Sequence, residues 1–174
     1  TQALLDLVTI RREKGQFDSL KICLAGDLLH SRVARSQIHA LKQLGVRDLR
    51  VIGPKTLLPD NMAALGVTIH RSFDEAIEGC DVVMMLRLQN ERMNGTLLPS
   101  ASEYFEHYGL DQRRLKLAAP DAIVLHPGPI NRGIEIADDV ADGPQSVILK
   151  QVRYGLALRM AILTMTLGRE GAAA

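Results

Sequence analysis

Long hydrophobic runs are missing from this sequence. No apolar stretch approaches the roughly 20 residues of a membrane-spanning helix, and no signal-peptide pattern is visible. The expectation is therefore a cytoplasmic protein with no membrane partner. Charge of one sign is missing too: 21 Lys and Arg face 20 Asp and Glu, and no basic tail or dense cluster gathers them. That excludes the usual footprint of a nucleic-acid partner. Cysteine is scarce. Cys23 and Cys80 are far apart and lie in apolar, strand-like contexts. They read as buried reduced thiols, since a metal site would want closer Cys/His spacing. No metal and no cofactor are expected. The glycine-rich G-x-G-x-x-G fingerprint is also lacking, because the first strand ends in Gly26 alone. This weakens a dinucleotide-binding reading. No internal repeat is visible, and the only low-complexity stretch is the terminal alanines.

What is present is enough apolar residue to build a core, 47% of 174 residues, read as one domain over 1–174. Residues 3–14 read as a helix, with Arg11, Arg12 and Lys14 at its end and Gly15 as the stop. Short apolar runs at 21–26, 49–53, 67–70, 82–86 and 122–125 read as strands. Between them lie helical patterns at 31–44 and 72–78 and a broken one at 54–65. Ser72 and Glu75 form a capping box for the second. A long final helix covers 146–167. Strands that are apolar throughout, alternating with helices, predict a three-layer αβα sandwich: a Rossmann-like parallel sheet of about five strands covered on both faces. Thr1 opens directly into helical pattern, and the chain reads as cut from something longer.

In such a sheet, ligands bind outside the carboxyl ends of the strands. Three segments meet that condition: Gly26 to Arg32, Arg87 to Arg92, and His126 to Pro129. Arg32 falls in the first turn of a helix. There it is either part of a solvated face with Arg35 and His39, or an anion site that combines guanidinium and helix N-terminus. Arg87 follows five apolar residues directly, which places its head at the sheet edge, where a guanidinium is costly without a partner. Glu91, Asp81 and Asp121 are its internal candidates, and a ligand carboxylate is the external one. Two arginines at two strand ends favour an anionic ligand. Gln89 supplies a neutral donor beside Arg87. Tyr104, Phe105 and Tyr108, in the long segment after Arg92, read as loop packing.

His126-Pro127-Gly128-Pro129 ends the fifth strand with more conformational restriction than a simple turn needs. A lone histidine there is more often structural, hydrogen-bonded to its own loop, than catalytic. The two prolines leave the carbonyls of His126 and Gly128 fixed, an arrangement that suits a ligand amine or amide NH2.

In order and spacing, GDLLHSR, LRLQNER and HPGPINRG closely resemble the aspartate carbamoyltransferase family, specifically its C-terminal, aspartate-binding half. TQALLDL is similar to the family's helix that starts at His-Pro-Thr-Gln. The family's Ser-Thr-Arg-Thr-Arg phosphate-binding motif and lysine-bearing loop have no counterpart here. The resemblance implies that Arg32 and Arg87 hold the carboxylates of L-aspartate, with Gln89 assisting. It implies that Gln2 and the backbone of Gly128 and Pro129 meet the carbamoyl group of carbamoyl phosphate. It also implies a cis bond before Pro129, a catalytic homotrimer, and regulatory or dihydroorotase chains as possible partners. No general base stands out in this half, which fits catalysis by positioning and electrostatics.

Two stripes on the final helix complete the expectation. One runs through Leu149, Val152, Leu156, Met160, Leu163 and Leu167, and the other through Val147, Tyr154, Leu158, Ile162 and Met165. With the spread of apolar residues on the first helix, they point to a bridge towards an absent N-terminal carbamoyl-phosphate-binding domain. Rival readings are an ornithine carbamoyltransferase-like domain, a non-catalytic α/β assembly module and a nucleotide-binding Rossmann-type domain. The chain lacks the ornithine family's His-Cys-Leu-Pro and Ser-Met-Gly motifs.

Overall fold

The computed structural model describes residues 1–89 and 100–168. Five parallel strands form one sheet: β1 (Lys21–Ala25), β2 (Asp48–Ile52), β3 (Thr68–Ile69), β4 (Val82–Met85) and β5 (Ile123–Leu125), in the order β3-β2-β1-β4-β5. Seven α-helices accompany them among the described residues: α1 (Gln2–Lys14), α2 (Arg32–Gln43), α3 (Phe73–Ile77), α4 (Ala101–Tyr108), α5 (Gln112–Leu115), α6 (Asp138–Ala141) and α7 (Ile148–Leu167).

Strand residues alternate between two cores because successive side chains leave opposite faces of the pleat. Ile22, Leu24, Val82, Met84 and Leu125 pack with Ile10 of α1 and Ile38 and Leu41 of α2. Cys23, Ala25, Val83, Met85 and Val124 pack with Phe73 and Ile77 of α3, Leu115 of α5 and Val140 of α6. Both faces are covered, so the central strands can be apolar throughout. Both cysteines are free and buried.

Some expectations are corrected. The stretch at 54–65 forms two short 3-10 turns, Lys55–Leu57 and Met62–Leu65, because Pro54 and Pro59 interrupt it. The third strand is reduced to Thr68–Ile69, an exposed sheet edge. Tyr104, Phe105 and Tyr108 lie in helix α4 rather than in a loop, and Tyr104 is fully buried. Ser100 caps that helix, its hydroxyl accepting from the Glu103 N–H at 3.2 Å. The final helix begins at Ile148, with Val147 as its N-cap.

Helices α1 and α7 pack against each other, and α1 also lies against α2. Only Ile148, Gln151 and Gly155 of α7 are buried. Leu149, Val152, Leu156, Met160, Leu163 and Leu167 are all exposed, Leu149 by 77%. In the second stripe Val147 is buried, Tyr154, Leu158 and Ile162 are half-buried, and Met165 is 70% exposed. Among the described residues, no helix is long and apolar enough to cross a membrane.

Candidate functional site

The sheet order sets the place of the site. From β1 the chain steps outward to β2 and β3, then returns to the other side for β4 and β5. The loops after β1 and β4 therefore diverge, and a crevice opens between them at the carboxyl ends. A cavity of about 280 Å³ lies there, lined by Gln2, His30, Ser31, Arg32, Val33, Arg87, Gln89, Pro127 and Gly128. Of the six residues singled out in the sequence, five line this one cavity. Pro129 is next in the chain and exposed. Asn90, Glu91 and Arg92 lie outside the described residues.

Gly26 allows the strands to end this close together. Its φ is 125°, and a Cβ would sit 2.7 Å from the Leu86 carbonyl oxygen. Asp27 follows, fully buried, and organises both loops. Its carboxylate lies 3.0 Å from His30 Nδ1 and accepts the His30 N–H at 3.0 Å. It also accepts the Gln89 N–H at 3.4 Å, and Gln89 Nε2 donates to the His30 carbonyl at 3.2 Å. Ser31 then caps α2, accepting the Ala34 N–H at 3.1 Å. This leaves Arg32 exposed on the first turn and facing the cavity beside the positive end of the helix.

Arg87, half-buried, lines the same cavity. Two of its internal candidates sit at the opposite, amino ends of the strands. Asp81 accepts the Lys21 N–H at 2.8 Å, and Asp121 pairs with Lys14 at 2.8 Å. Among the described lining residues there are two guanidinium groups and no carboxylate. The electrostatics favour an anion.

The third wall is the turn after β5. His126 is buried, its Nδ1 accepting the Gly128 N–H at 2.9 Å while Nε2 lies 3.1 Å from Glu135 Oε1. An Nδ1 that accepts places the ring proton on Nε2, which then donates to the Glu135 carboxylate. His126 is the loop-holding residue that its sequence context suggested. Glu135 also accepts the Asn131 N–H at 2.6 Å, and Asn131 Nδ2 donates to the Leu88 carbonyl at 3.3 Å, tying this turn to the Arg87 loop. The Gly128–Pro129 bond is cis, and Gly128 has φ 68° with open space where a Cβ would lie.

Beneath the cavity sits a group that the sequence reading did not single out. Asp6 of α1 is fully buried and accepts from three glutamines. Gln2 Nε2 reaches it at 3.0 Å, Gln151 Nε2 at 2.7 Å, and Gln37 Nε2 approaches its other oxygen. Gln151 Oε1 in turn accepts the His126 N–H at 3.0 Å. Burial pushes the Asp6 carboxyl up to about 6, against the pull of the three amide hydrogen bonds. Asp27 escaped notice as well, although it lies within GDLLHSR. The one available signal for Asp6 was a carboxylate inside the apolar stretch from Ala3 to Ile10.

Residues 18–166 match the family described as aspartate/ornithine carbamoyltransferase, Asp/Orn binding domain. Aspartate transcarbamoylase from Trypanosoma cruzi in complex with N-(phosphonacetyl)-L-aspartic acid is 34% identical over 93% of this chain and 54% of that one, with a TM-score of 0.77. Ornithine carbamoyltransferase from Pyrococcus furiosus is 28% identical over 94% of this chain and 54% of that one, with a TM-score of 0.77. The enzyme of the same name from Thermus thermophilus, at 24% identity and a TM-score of 0.80, covers 94% of this chain and 54% of its own, and bears on the fold alone. The chain thus spans about half the length of the solved proteins it matches.

Proposed function

The chain belongs to the aspartate/ornithine carbamoyltransferase family, and from that premise we infer that it is the L-aspartate-binding half of an aspartate carbamoyltransferase. The observation that carries this reading is the pair of arginines, Arg32 and Arg87, lining one cavity at the sheet's switch point. A dicarboxylate matches two guanidinium groups, whereas the ammonium of ornithine would be repelled by them. Gln89 stands beside Arg87 as a neutral donor. Gln2 and the backbone of Gly128 and Pro129 form the other end, where acceptor atoms suit the carbamoyl NH2 of carbamoyl phosphate.

In this mechanism the aspartate α-amine attacks the carbonyl carbon of carbamoyl phosphate. A tetrahedral intermediate forms, and phosphate leaves with the amine proton. The residues here orient the nucleophile and hold its carboxylates, a contribution of positioning and charge. The product is N-carbamoyl-L-aspartate, the pathway pyrimidine biosynthesis. An N-terminal domain would bind the phosphate, with α1 and α7 bridging to it, and the complete catalytic chain would assemble as a homotrimer.

The family also includes ornithine carbamoyltransferases, so an ornithine-specific site is the competing reading. Steady-state kinetics of the complete protein with both amino acids separates them. Aspartate should be carbamoylated and ornithine not. Arg87→Ala should lower kcat/KM for aspartate by about tenfold or more, since a charge-assisted contact is worth about 1.5–3 kcal/mol. Preference for ornithine, or wild-type aspartate kinetics in Arg87→Ala, would refute the assignment.

A further inference from the structure

Gln2 lines the cavity, yet its amide is anchored from behind. Asp6 lies one helical turn on from Gln2 along α1, on the same face, and a carboxylate can only accept hydrogen bonds when ionised. The Gln2 amide must therefore turn its Nε2 inward, at 3.0 Å from Asp6 Oδ1, which leaves Oε1 as the acceptor available to the cavity. The same Asp6 oxygen receives Gln151 Nε2 at 2.7 Å. Gln151 cannot flip, because its Oε1 accepts the His126 N–H at 3.0 Å. The third amide differs. Gln37 Nε2 donates to Asp6 Oδ2, but Gln37 Oε1 is buried with no hydrogen-bond partner among the described residues.

We propose that Asp6 is a positioning residue for the transfer reaction: it fixes the Gln2 amide with its oxygen towards the cavity and, through Gln151, aligns the backbone turn from His126 to Pro129 on the same ligand group. Asp6 touches no reacting atom in this scheme. Its effect is to make two separate elements, the start of α1 and the turn after β5, present acceptors together to an NH2 donor. The carbamoyl group is such a donor. The inference rests on the function proposed above and adds the residue that sets the polarity of this end of the site.

The unpaired Gln37 oxygen makes the proposal testable with a conservative variant. In Asp6→Asn the side-chain oxygen can still receive Gln2 and Gln151, and a flipped Gln37 can accept from the new Nδ2. The Gln2 orientation is kept. Asp6→Leu, similar in size, removes every acceptor and frees the Gln2 amide to rotate.

The test is steady-state kinetics of the complete, assembled enzyme with the amino-acid substrate saturating. Asp6→Asn should retain the wild-type KM for carbamoyl phosphate within about threefold, and Asp6→Leu should raise it about tenfold or more. The KM for the amino acid should change far less, a split that general loss of structure would not produce. In a Gln2→Ala background, which itself raises the KM for carbamoyl phosphate, adding Asp6→Leu should cost little more, because the two act as a unit. If Asp6→Leu does not fold, Asp6→Val, smaller and equally without an acceptor, takes its place in the cycle. A folded variant without the acceptor but with a wild-type KM for carbamoyl phosphate overturns the positioning role alone, as does full additivity with Gln2→Ala. Absence of carbamoyl transfer by the wild-type enzyme overturns the proposed function and the role of Asp6 with it.

Discussion

At the scale of residues, Asp6 shows how a buried charge couples position to pH. Its carboxyl is raised from 3.8 to about 6 by burial. A carboxyl raised in the folded state gives stability that is fully present below the unfolded value. That stability is lost as pH rises through the folded one, because the folded chain must then bury the charge. The loss falls between about pH 4 and pH 6, and the size of the shift corresponds to about 3 kcal/mol. Asp6→Asn keeps the hydrogen bonds without the charge. In the complete protein it should melt higher than wild type at pH 8. The advantage should vanish near pH 4. A difference in melting temperature that stays constant over that range would show that burial of the charge is not the cause. The arginine side of the cavity was readable in the sequence, since Arg87 and Gln89 lie just past β4 and Arg32 in the first turn of the helix after β1. Asp6 and Asp27 were not readable in that way, because their partners lie up to 145 positions away in the chain.

At the scale of elements, legibility followed burial. The central strands β1 and β4 carry unbroken apolar runs because helices cover both faces, and β2 was visible despite Arg50, which pairs with Asp48 at 2.7 Å. β3 is an edge strand with Thr68 and Ile69 both exposed, so its run overstated its length. Helix α4 was hidden for the opposite reason: only Tyr104 of its eight residues is buried, which leaves no periodic stripe to read. The pair Ser100 and Glu103 carried the signal, as a capping box opening the helix. Helices α5 and α6, four residues each, are too short to show a period at all. Helix α7 is the reverse case, apolar where the described structure covers nothing. Leu156 is 67% exposed and Met160 61%. If this face seats the N-terminal domain, each side chain contributes about 1.5–3 kcal/mol there on burial. The double variant Leu156→Glu with Met160→Glu should then lower the melting temperature of the complete protein markedly. It should leave that of the 174-residue chain nearly unchanged. Equal losses in both would show that α7 is satisfied within this chain.

At the scale of the whole molecule, the question is how much of a reaction one such domain can perform. The cavity is lined by Arg32 and Arg87 together with Gln2, Pro127 and Gly128. Under the proposed function those groups bind and orient an amine nucleophile. They do not supply the cluster of cations that a leaving phosphate requires, and no counterpart of the family's Ser-Thr-Arg-Thr-Arg motif or lysine-bearing loop occurs in the sequence. The electrostatic stabilisation of the transition state would therefore come from the other half. Removal of even one well-placed donor to a developing oxyanion typically costs about 10²–10³ in rate. Loss of the whole phosphate site should cost at least about 10³-fold. The expected outcome is that the purified 174-residue chain forms no measurable carbamoyl-aspartate from carbamoyl phosphate and aspartate. Adding the N-terminal half as a separate chain should restore turnover if the exposed face of α7 seats it. Calorimetry then separates binding from chemistry: the isolated chain should still bind a dicarboxylate, weakly, and Arg87→Ala should abolish that binding. Turnover by the isolated chain within tenfold of the complete enzyme would disprove the division of labour, because all the groups that stabilise the leaving phosphate would then have to lie within these residues.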